Sequence, residues 1–248
     1  MTKRVCIIPA RMGSSRFPGK PLTKIKGREM LCYVHENCKK AGIFDEVVIA
    51  TPDREIENFC ISNGYQSIMT SEQHERASDR CNEAIKKLET EGKYYNIVTL
   101  VQGDEPLVDS EVIKKITVEY EKERKLYSCA NGIAPLGAND YTNPNSIKVI
   151  TNIKGEAIYM SRVGIPYNGE ESKDVGKQIC IIPFTPESLK KYSELEPTPL
   201  EKAESVDMLR FIENGLKVKM IKVKTNSHPV DVPNDVLIVE QIMDFNED

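Results

Sequence analysis

The sequence predicts an α/β protein built on a mixed, mostly parallel sheet. Across its first half, short apolar runs alternate with stretches of helical periodicity, the pattern of parallel strands joined by crossover helices. Apolar residues make up 40% and charged residues 29% of the 248 positions, enough for one core, or one domain with a small lobe inserted. The third observation is a loop rich in Gly, Ser, Arg and Lys directly after the first strand, where ligands of parallel α/β sheets gather.

The elements run in order along the chain. Val5–Ile8 reads as a buried strand, 30–41 as a helix stopped by Gly42, and Glu46–Ala50 as the next strand. A helix is expected over 53–63, with Asp53 as N-cap and Gly64 just past its end. Gln66–Met69 is a third strand, 78–88 a helix capped by Ser78, Ile97–Val101 a fourth strand, and 109–125 a helix. After residue 126 the strand-like runs 128–135, 146–151 and 178–183 are separated only by loops. Helices return at 186–193 and 201–214, then a strand at 218–224 and a last helix at 234–243. The polar run 167–176 is expected to be a mobile loop.

Composition excludes several function classes. Lys and Arg number 34 against 38 Asp and Glu, a net charge of −4, so there is no basic surplus for nucleic acid. Trp is absent and aromatics are 6%, too few for a base-stacking platform. No run approaches the roughly 18 apolar residues of a membrane helix. The apolar start at Val5 stops at Arg11, which argues against a secretory signal. The seven cysteines are scattered and never form a CxxC pair. They read as buried free thiols in a reducing cytoplasm, with zinc binding or a cysteine nucleophile as the minor readings.

Three segments could carry chemistry. Residues 9–21, Pro-Ala-Arg-Met-Gly-Ser-Ser-Arg-Phe-Pro-Gly-Lys-Pro, supply two guanidinium groups, an ammonium, hydroxyls and close-approach glycines, the parts of a triphosphate cradle. The loop is neither a Walker A nor a GxGxxG motif, which weakens an ATPase or GTPase reading. Residues 102–106, Gln-Gly-Asp-Glu-Pro, place Asp104 just past a buried strand, where it could hold Mg²⁺ against phosphate oxygens. Glu105 could do the same or cap the helix after it. Asp231 is a candidate second metal ligand, and Asp235 belongs to the first turn of the last helix. Such a set suits nucleotidyl transfer, in which alignment and charge neutralisation supply most of the rate.

On these residues the chain resembles the 3-deoxy-manno-octulosonate (Kdo) cytidylyltransferases. Residues 11–20 look like RxxSxRxPGK, Asp79-Arg80 like the end of HxSGTDR, and 102–106 reproduce QGDEP. Residues 143–149 resemble NPNxVKVV, 157–162 AlYFSR, 209–215 the end of EQLRxLENG, and 230–233 VDTPED. The resemblance implies a Rossmann-like nucleotide-diphospho-sugar transferase fold, a homodimer, and a Mg²⁺-dependent reaction that makes a CMP-sugar acid from CTP and a small anionic acceptor. It divides the single domain into a nucleotide part, about 1–125 and 215–248, and an acceptor and dimerisation part, about 126–214. Arg11, Ser14 and Lys20 would hold the triphosphate, Arg80 would lie against the nucleoside, and Gln102 would stand between nucleotide and sugar. Asp104 and Asp231 would bind magnesium, and Arg162 is a candidate for the acceptor's carboxylate or phosphate.

The departures from these motifs lie on the acceptor side. Arg76 and Ala77 replace Ser and Gly of HxSGTDR, HIGIYAYR reads Gln178-Ile-Cys-Ile-Ile-Pro-Phe184-Thr185, and the Glu-Gln of EQLR is Asp207-Met208. Arg76, Gln178 and Asp207 are therefore expected to respecify the pocket, with Arg76 favouring a more anionic acceptor. The alternatives are an amino-substituted Kdo, another sugar acid or a phosphonate. From a different class comes a catalytically silent nucleotide-binding module.

Overall fold

A computed structural model describes all residues except 1, 15, 138, 170–174 and 248. Its strands are β1 (Arg4–Pro9), β2 (Lys24–Ile25), β3 (Arg28–Glu29), β4 (Glu46–Thr51), β5 (Gln66–Met69), β6 (Ile97–Val101), β7 (Cys129–Pro135), β8 (Lys148–Thr151), β9 (Ala157–Ser161), β10 (Val175–Ile179), β11 (Ile181–Phe184) and β12 (Val218–Lys222). The α-helices are α1 (Met30–Lys40), α2 (Arg54–Asn63), α3 (Ala77–Thr90), α4 (Ser110–Glu123), α5 (Pro186–Glu194), α6 (Pro199–Glu204), α7 (Met208–Glu213) and α8 (Pro233–Glu247). Ten strands form one sheet in the order β5-β4-β1-β6-β11-β7-β10-β8-β9, with β12 paired to β7.

The sheet has two characters. From β5 to β6 every pairing is parallel. Successive residues of β1 point to opposite faces: Val5 and Ile7 pack under α3, whereas Cys6 and Ile8 pack under α1 and α4. From β11 to β9 the pairings are antiparallel, and β12 returns parallel to β7. α8 closes the opposite end by packing Val239 against Ile25 and Met30 beside the β2–β3 hairpin. Among the described residues no helix is long and apolar enough to cross a membrane. All seven cysteines are free, six of them buried and Cys180 half-buried, as the buried-thiol reading expects.

Several sequence expectations need correction. The strand expected over 178–183 is two strands, broken at Cys180. There the backbone N–H donates to Glu105 at 3.4 Å and the carbonyl accepts from the Gln102 N–H at 3.3 Å, so the strand hands over from β7 to β6. The helix expected over 201–214 is two helices, because Ser205 takes a left-handed conformation with φ 54°. That reversal folds α7 back so that Arg210 meets Glu201. α3 begins at Ala77, and Ser78 lies inside its first turn rather than at the cap. β9 and the β2–β3 hairpin are additions to the expected elements. The hairpin turns on Lys26 and Gly27 with φ of 49° and 81°, a left-handed pair that suits a two-residue connection. Of the loop expected over 167–176, Val175 and Gly176 belong to β10, and residues 170–174 lie outside the described residues.

Candidate active site

The cationic loop leaves β1 at Pro9 and is held by its own backbone. The N–H groups of Ser14 and Gly19 both donate to the Met12 carbonyl, at 2.9 and 3.0 Å. Gly19 has φ 76°, a conformation a side chain would strain. The Met12 N–H donates to Asp53 Oδ2 at 2.8 Å. Asp53 does stand at the N-cap position of α2, as expected, but its carboxylate makes no cap bond there and is committed to the loop. Gly103 lets the second segment approach the first, since a Cβ there would stand 3.0 Å from the Pro9 carbonyl oxygen.

Between these segments lies a cavity of about 420 Å³, lined by Arg11, Ser14, Lys20, Arg80, Gln102 and Asp104 among others. The structure therefore brings together every residue expected on the nucleotide side. Arg80 is 3% exposed, and its guanidinium donates to Thr70 Oγ1 at 2.5 Å and to the carbonyls of Ser71 and His74 at 3.1 and 3.2 Å. It thus shapes the cavity wall by fixing residues 70–74. Burial, and then the neighbouring Arg11 cation, pull its pKa down. The Ser14 hydroxyl accepts weakly from the Phe17 N–H at 3.4 Å.

Asp104 and Asp231 are brought together by Lys20. Lys20 Nζ lies 2.7 Å from Asp104 Oδ2 and 3.7 Å from Asp231 Oδ1, and Arg16 Nη2 lies 2.8 Å from Asp231 Oδ1. The Val230 N–H donates to the Asp104 carbonyl at 2.9 Å, tying the two carboxylate segments together. Burial and then the charge of Asp104 push the Asp231 carboxyl up, against the opposing pull of Lys20 and Arg16. Asp235 accepts from the N–H groups of Asp231 and Val232 at 2.7 and 2.9 Å, which places it in the first turn of α8 as expected. No group of three or more metal-binding side chains exists among the described residues. Two hard carboxylates that repel each other nevertheless fit Mg²⁺, which commonly takes one or two protein carboxylates and completes its shell with substrate phosphates and water. Arg16 belongs to the loop motif without an expected role of its own, and its position beside the two acids is a signal that only the fold supplies.

A second cavity of about 240 Å³ adjoins the first, and Gln102 and Asp104 line both. It brings Arg162, Gln178 and Asp207 together with Asp231. Gln178 Oε1 is buried there with no protein partner among the described residues, so it can meet a ligand hydroxyl. Ile182, which occupies a Tyr position of HIGIYAYR, lines this cavity too, whereas Phe184 and Met208 lie in the core. Thr185 caps α5 by accepting from the Ser188 N–H at 3.2 Å.

Both arginines expected on the acceptor side carry internal partners. Arg76 lines the first cavity and not the second, and its charge is spent internally. Its Nη1 donates to Ser205 Oγ at 2.8 Å, and its Nε lies 3.4 Å from the fully buried Glu201 carboxylate. Arg76 therefore borders the site from the first cavity, with its charge already facing a carboxylate. Arg162 lines the second cavity, but its Nε and Nη1 donate to the carbonyls of Glu204 and Pro144 at 2.7 and 2.9 Å. It serves as a brace there. Asp207 accepts from the N–H and hydroxyl of Ser78 at 3.1 and 2.9 Å, which anchors α7 to the start of α3, while burial pushes its carboxyl up. Glu105 neither caps α4, which Asp109 does, nor is its carboxylate free: its oxygens accept from Ser227 Oγ at 2.8 Å and the Cys180 N–H. Burial pushes its pKa up to about 7.

A cationic loop and two converging carboxylates at the carboxyl ends of parallel strands, open to a second polar cavity, define a nucleotidyltransferase. Sequence comparison narrows the class. The chain belongs to the cytidylyltransferase family, whose sequence model matches residues 5–221. It is 41% identical over 244 residues to the mitochondrial 3-deoxy-manno-octulosonate cytidylyltransferase of Arabidopsis thaliana, covering 96% of this chain and 82% of that one. It is 36% identical over 247 residues to the 3-deoxy-manno-octulosonate cytidylyltransferase of Bdellovibrio bacteriovorus, covering 97% and 98%. Among solved structures, a CMP:2-keto-3-deoxy-manno-octonic acid synthetase complexed with CTP superposes with a TM-score of 0.88 at 31% identity, covering 99% of this chain and all of that one. A cytidylyltransferase from Leptospira borgpetersenii shares the fold, with a TM-score of 0.65 at 16% identity.

Proposed function

We propose that the protein transfers CMP from CTP to the anomeric hydroxyl of 3-deoxy-manno-octulosonate, with Mg²⁺ and with release of pyrophosphate. The observation that carries this reading is the junction of the two cavities at Gln102 and Asp104, beside the cationic loop. Relatives named for this reaction and aligned over nearly the whole chain support the same substrates.

In this reading Arg11, Arg16 and Lys20 take the triphosphate, and Lys20 turns from the carboxylates toward phosphate oxygens. Asp104 and Asp231 would hold Mg²⁺, which supplies charge neutralisation on the phosphates and alignment of the leaving group. Gln102 and the Gln178 amide orient the acceptor in the second cavity. The acceptor's hydroxyl oxygen bonds to the α-phosphorus, the bond from that phosphorus to the bridging oxygen breaks, and pyrophosphate departs with the electron pair. The hydroxyl proton passes to solvent. Because the guanidinium and ammonium groups are already placed, charge developing on the leaving phosphates meets fixed countercharge.

A homodimer is also proposed. Ile153, Ile158, Val163 and Tyr167 are exposed on and beside β9, the last strand in the sheet order among the described residues, an apolar surface that a second copy would cover. Light scattering behind gel filtration tests this: a monomer at micromolar concentration refutes it. The reaction is tested by pyrophosphate release from CTP and Mg²⁺ with Kdo, beside a panel of other sugar acids and phosphonates. Turnover with Kdo well above the panel is expected. Turnover only with another acceptor would keep the chemistry and replace the acceptor. CTP binding without turnover on any acceptor would favour a silent binding module.

A further inference from the structure

The acceptor cavity is organised around a charge that does not touch it. Lys148, the first residue of β8, is completely buried. Among the described residues no carboxylate lies within ion-pair distance of its ammonium. All three N–H donors instead go to backbone carbonyls: Asn143 at 2.8 Å, Ser146 at 2.6 Å and Arg162 at 2.6 Å. Asp140 and Glu204 act on it only at longer range, and burial pulls its pKa down. Burying an ammonium is costly, so a fold that retains one with its full complement of hydrogen bonds uses it to fix geometry.

What it fixes is the segment that walls the second cavity. Asp140, Asn143, Asn145 and Ser146 all line that cavity. Lys148 clamps this segment to the end of β9 through the Arg162 carbonyl, and the carbonyl of Ile147, its neighbour, accepts from the Gln178 N–H at 2.9 Å. The segment in turn reaches the nucleotide side. Asn145 Oδ1 accepts from Arg16 Nη1 at 2.5 Å, while Arg16 Nη2 holds Asp231. Asn145 is itself set by a local bond from its N–H to Asn143 Oδ1 at 2.9 Å.

We infer that Lys148 is a positioning residue for the transfer reaction: by gathering the carbonyls of 143, 146 and 162 it sets the acceptor wall, and through Asn145 it joins that wall to Arg16. The inference rests on the proposed reading that the second cavity receives the acceptor. A purely structural lysine would lower stability and affect both substrates alike. A positioning lysine acts selectively on the acceptor, because the segment it gathers lines the second cavity and not the first.

The test uses Lys148→Met and Asn145→Ala in the full chain. For K148M the acceptor KM should rise by about 10-fold or more, while CTP affinity, titrated directly without acceptor, should change by less than about 3-fold, the split that separates selective from uniform loss. Backbone amide exchange in 140–147 should rise in K148M. N145A leaves the ammonium in place, so it covers the case in which K148M does not fold. It should raise the acceptor KM by about 3-fold or more, in keeping with the loss of one charge-assisted hydrogen bond, at an unchanged melting temperature. Equal losses toward both substrates in K148M, unchanged exchange in 140–147, or wild-type kinetics in N145A would each overturn the inference. Wild-type protein inactive with Kdo would sink the proposed acceptor instead, and the amide-exchange comparison would then decide Lys148 on its own.

Discussion

The half of this molecule proposed to hold the nucleotide and the half proposed to hold the acceptor solve the same problem by different means. The nucleotide half builds its cavity from strand ends: β1 and β6 are parallel neighbours, and the loops leaving them bring Lys20 and Asp104 to 2.7 Å. Its cationic loop is held by short backbone turns, and Lys20 and Asp104 are half-exposed. The acceptor half is braced by buried and half-buried side chains, several of which bond backbone far away in sequence. Lys148, Arg162, Glu204 and the Glu201–Arg210 pair are its struts. Regular topology thus positions the groups proposed for the common chemistry, and buried polar bracing positions the groups proposed for selectivity. Damage to the first half should therefore cost turnover at little cost in stability, whereas damage to the second should cost stability as well.

The largest expected effect breaks the acceptor bracing. Arg210 is 3% exposed, donates twice to Glu201 at 2.8 and 2.7 Å, and stacks 4.0 Å over the Tyr192 ring. Arg210→Met leaves the Glu201 carboxylate buried with the Tyr192 hydroxyl and the Thr198 N–H as donors and with Arg76 at 3.4 Å as its nearest remaining cation among the described residues. Unfolding free energy should fall by about 3–5 kcal/mol, the usual cost of orphaning one member of a buried pair. A denaturant titration showing a loss below about 1 kcal/mol, the worth of an exposed pair, would mean the cluster is solvated.

Next comes Asp104→Asn. Turnover should fall by on the order of 10²–10³-fold, the scale of removing one group that holds transition-state charge. Its melting temperature should match or exceed wild type, because Asp231 is relieved of a neighbouring charge. A large stability loss in this variant would erase the contrast between the halves.

The same contrast explains what was legible in the sequence. The parallel half could be read because its strands are short apolar runs and helices such as α2 carry their own stop, here Gly64 with φ 69°. Asp104 and Lys20 were legible because both sit at fixed offsets from those strands. In the acceptor half β7, β8 and α5 could be read, but the break at Cys180 and the reversal at Ser205 could not, because they are decided by partners far away in sequence. Nothing local says that Ser205 will turn left-handed, yet Arg76, 129 residues earlier, donates to its hydroxyl. Cys180 lies in an unbroken apolar run, and only Gln102 and Glu105 bend the strand there. Arg76 and Arg162 looked like free cations because sequence shows a charge without its partners. Lys148 was visible as part of a motif, but its complete burial and three carbonyl partners were not.

A pH measurement sharpens the comparison from the nucleotide side. His35 on α1 is buried, stacks on Tyr65 with ring centroids 3.9 Å apart, and has no partner at Nδ1 among the described residues. Burial, and then Lys39, pull its pKa down to about 4 from the ordinary 6.5. The unfolded chain therefore binds the proton first, so this residue's contribution is complete above pH 6.5 and is lost as pH falls toward 4. Between pH 7 and 5 that loss is about 2 kcal/mol. His35→Phe, which keeps a ring against Tyr65, should show a correspondingly shallower decline over the same range. Parallel curves for the two proteins would mean that His35 is hydrated and titrates normally.

The smallest effect is the most specific. Asp53 occupies the cap position of α2 but directs its carboxylate to the Met12 N–H, so it reaches the cationic loop proposed to hold the triphosphate without being part of it. Asp53→Ala leaves that N–H without its acceptor, and about 1 kcal/mol of loop ordering goes with it. The KM for CTP should rise by about 5-fold at an unchanged acceptor KM, with Asp53→Asn intermediate because its amide oxygen can still accept. Wild-type kinetics in the alanine variant would show that the turns closed on the Met12 carbonyl by Ser14 and Gly19 hold the loop unaided. An equal rise in both constants would show that the loop transmits to the acceptor wall through Arg16 and Asn145, and the two halves would then have to be treated as one cooperative site.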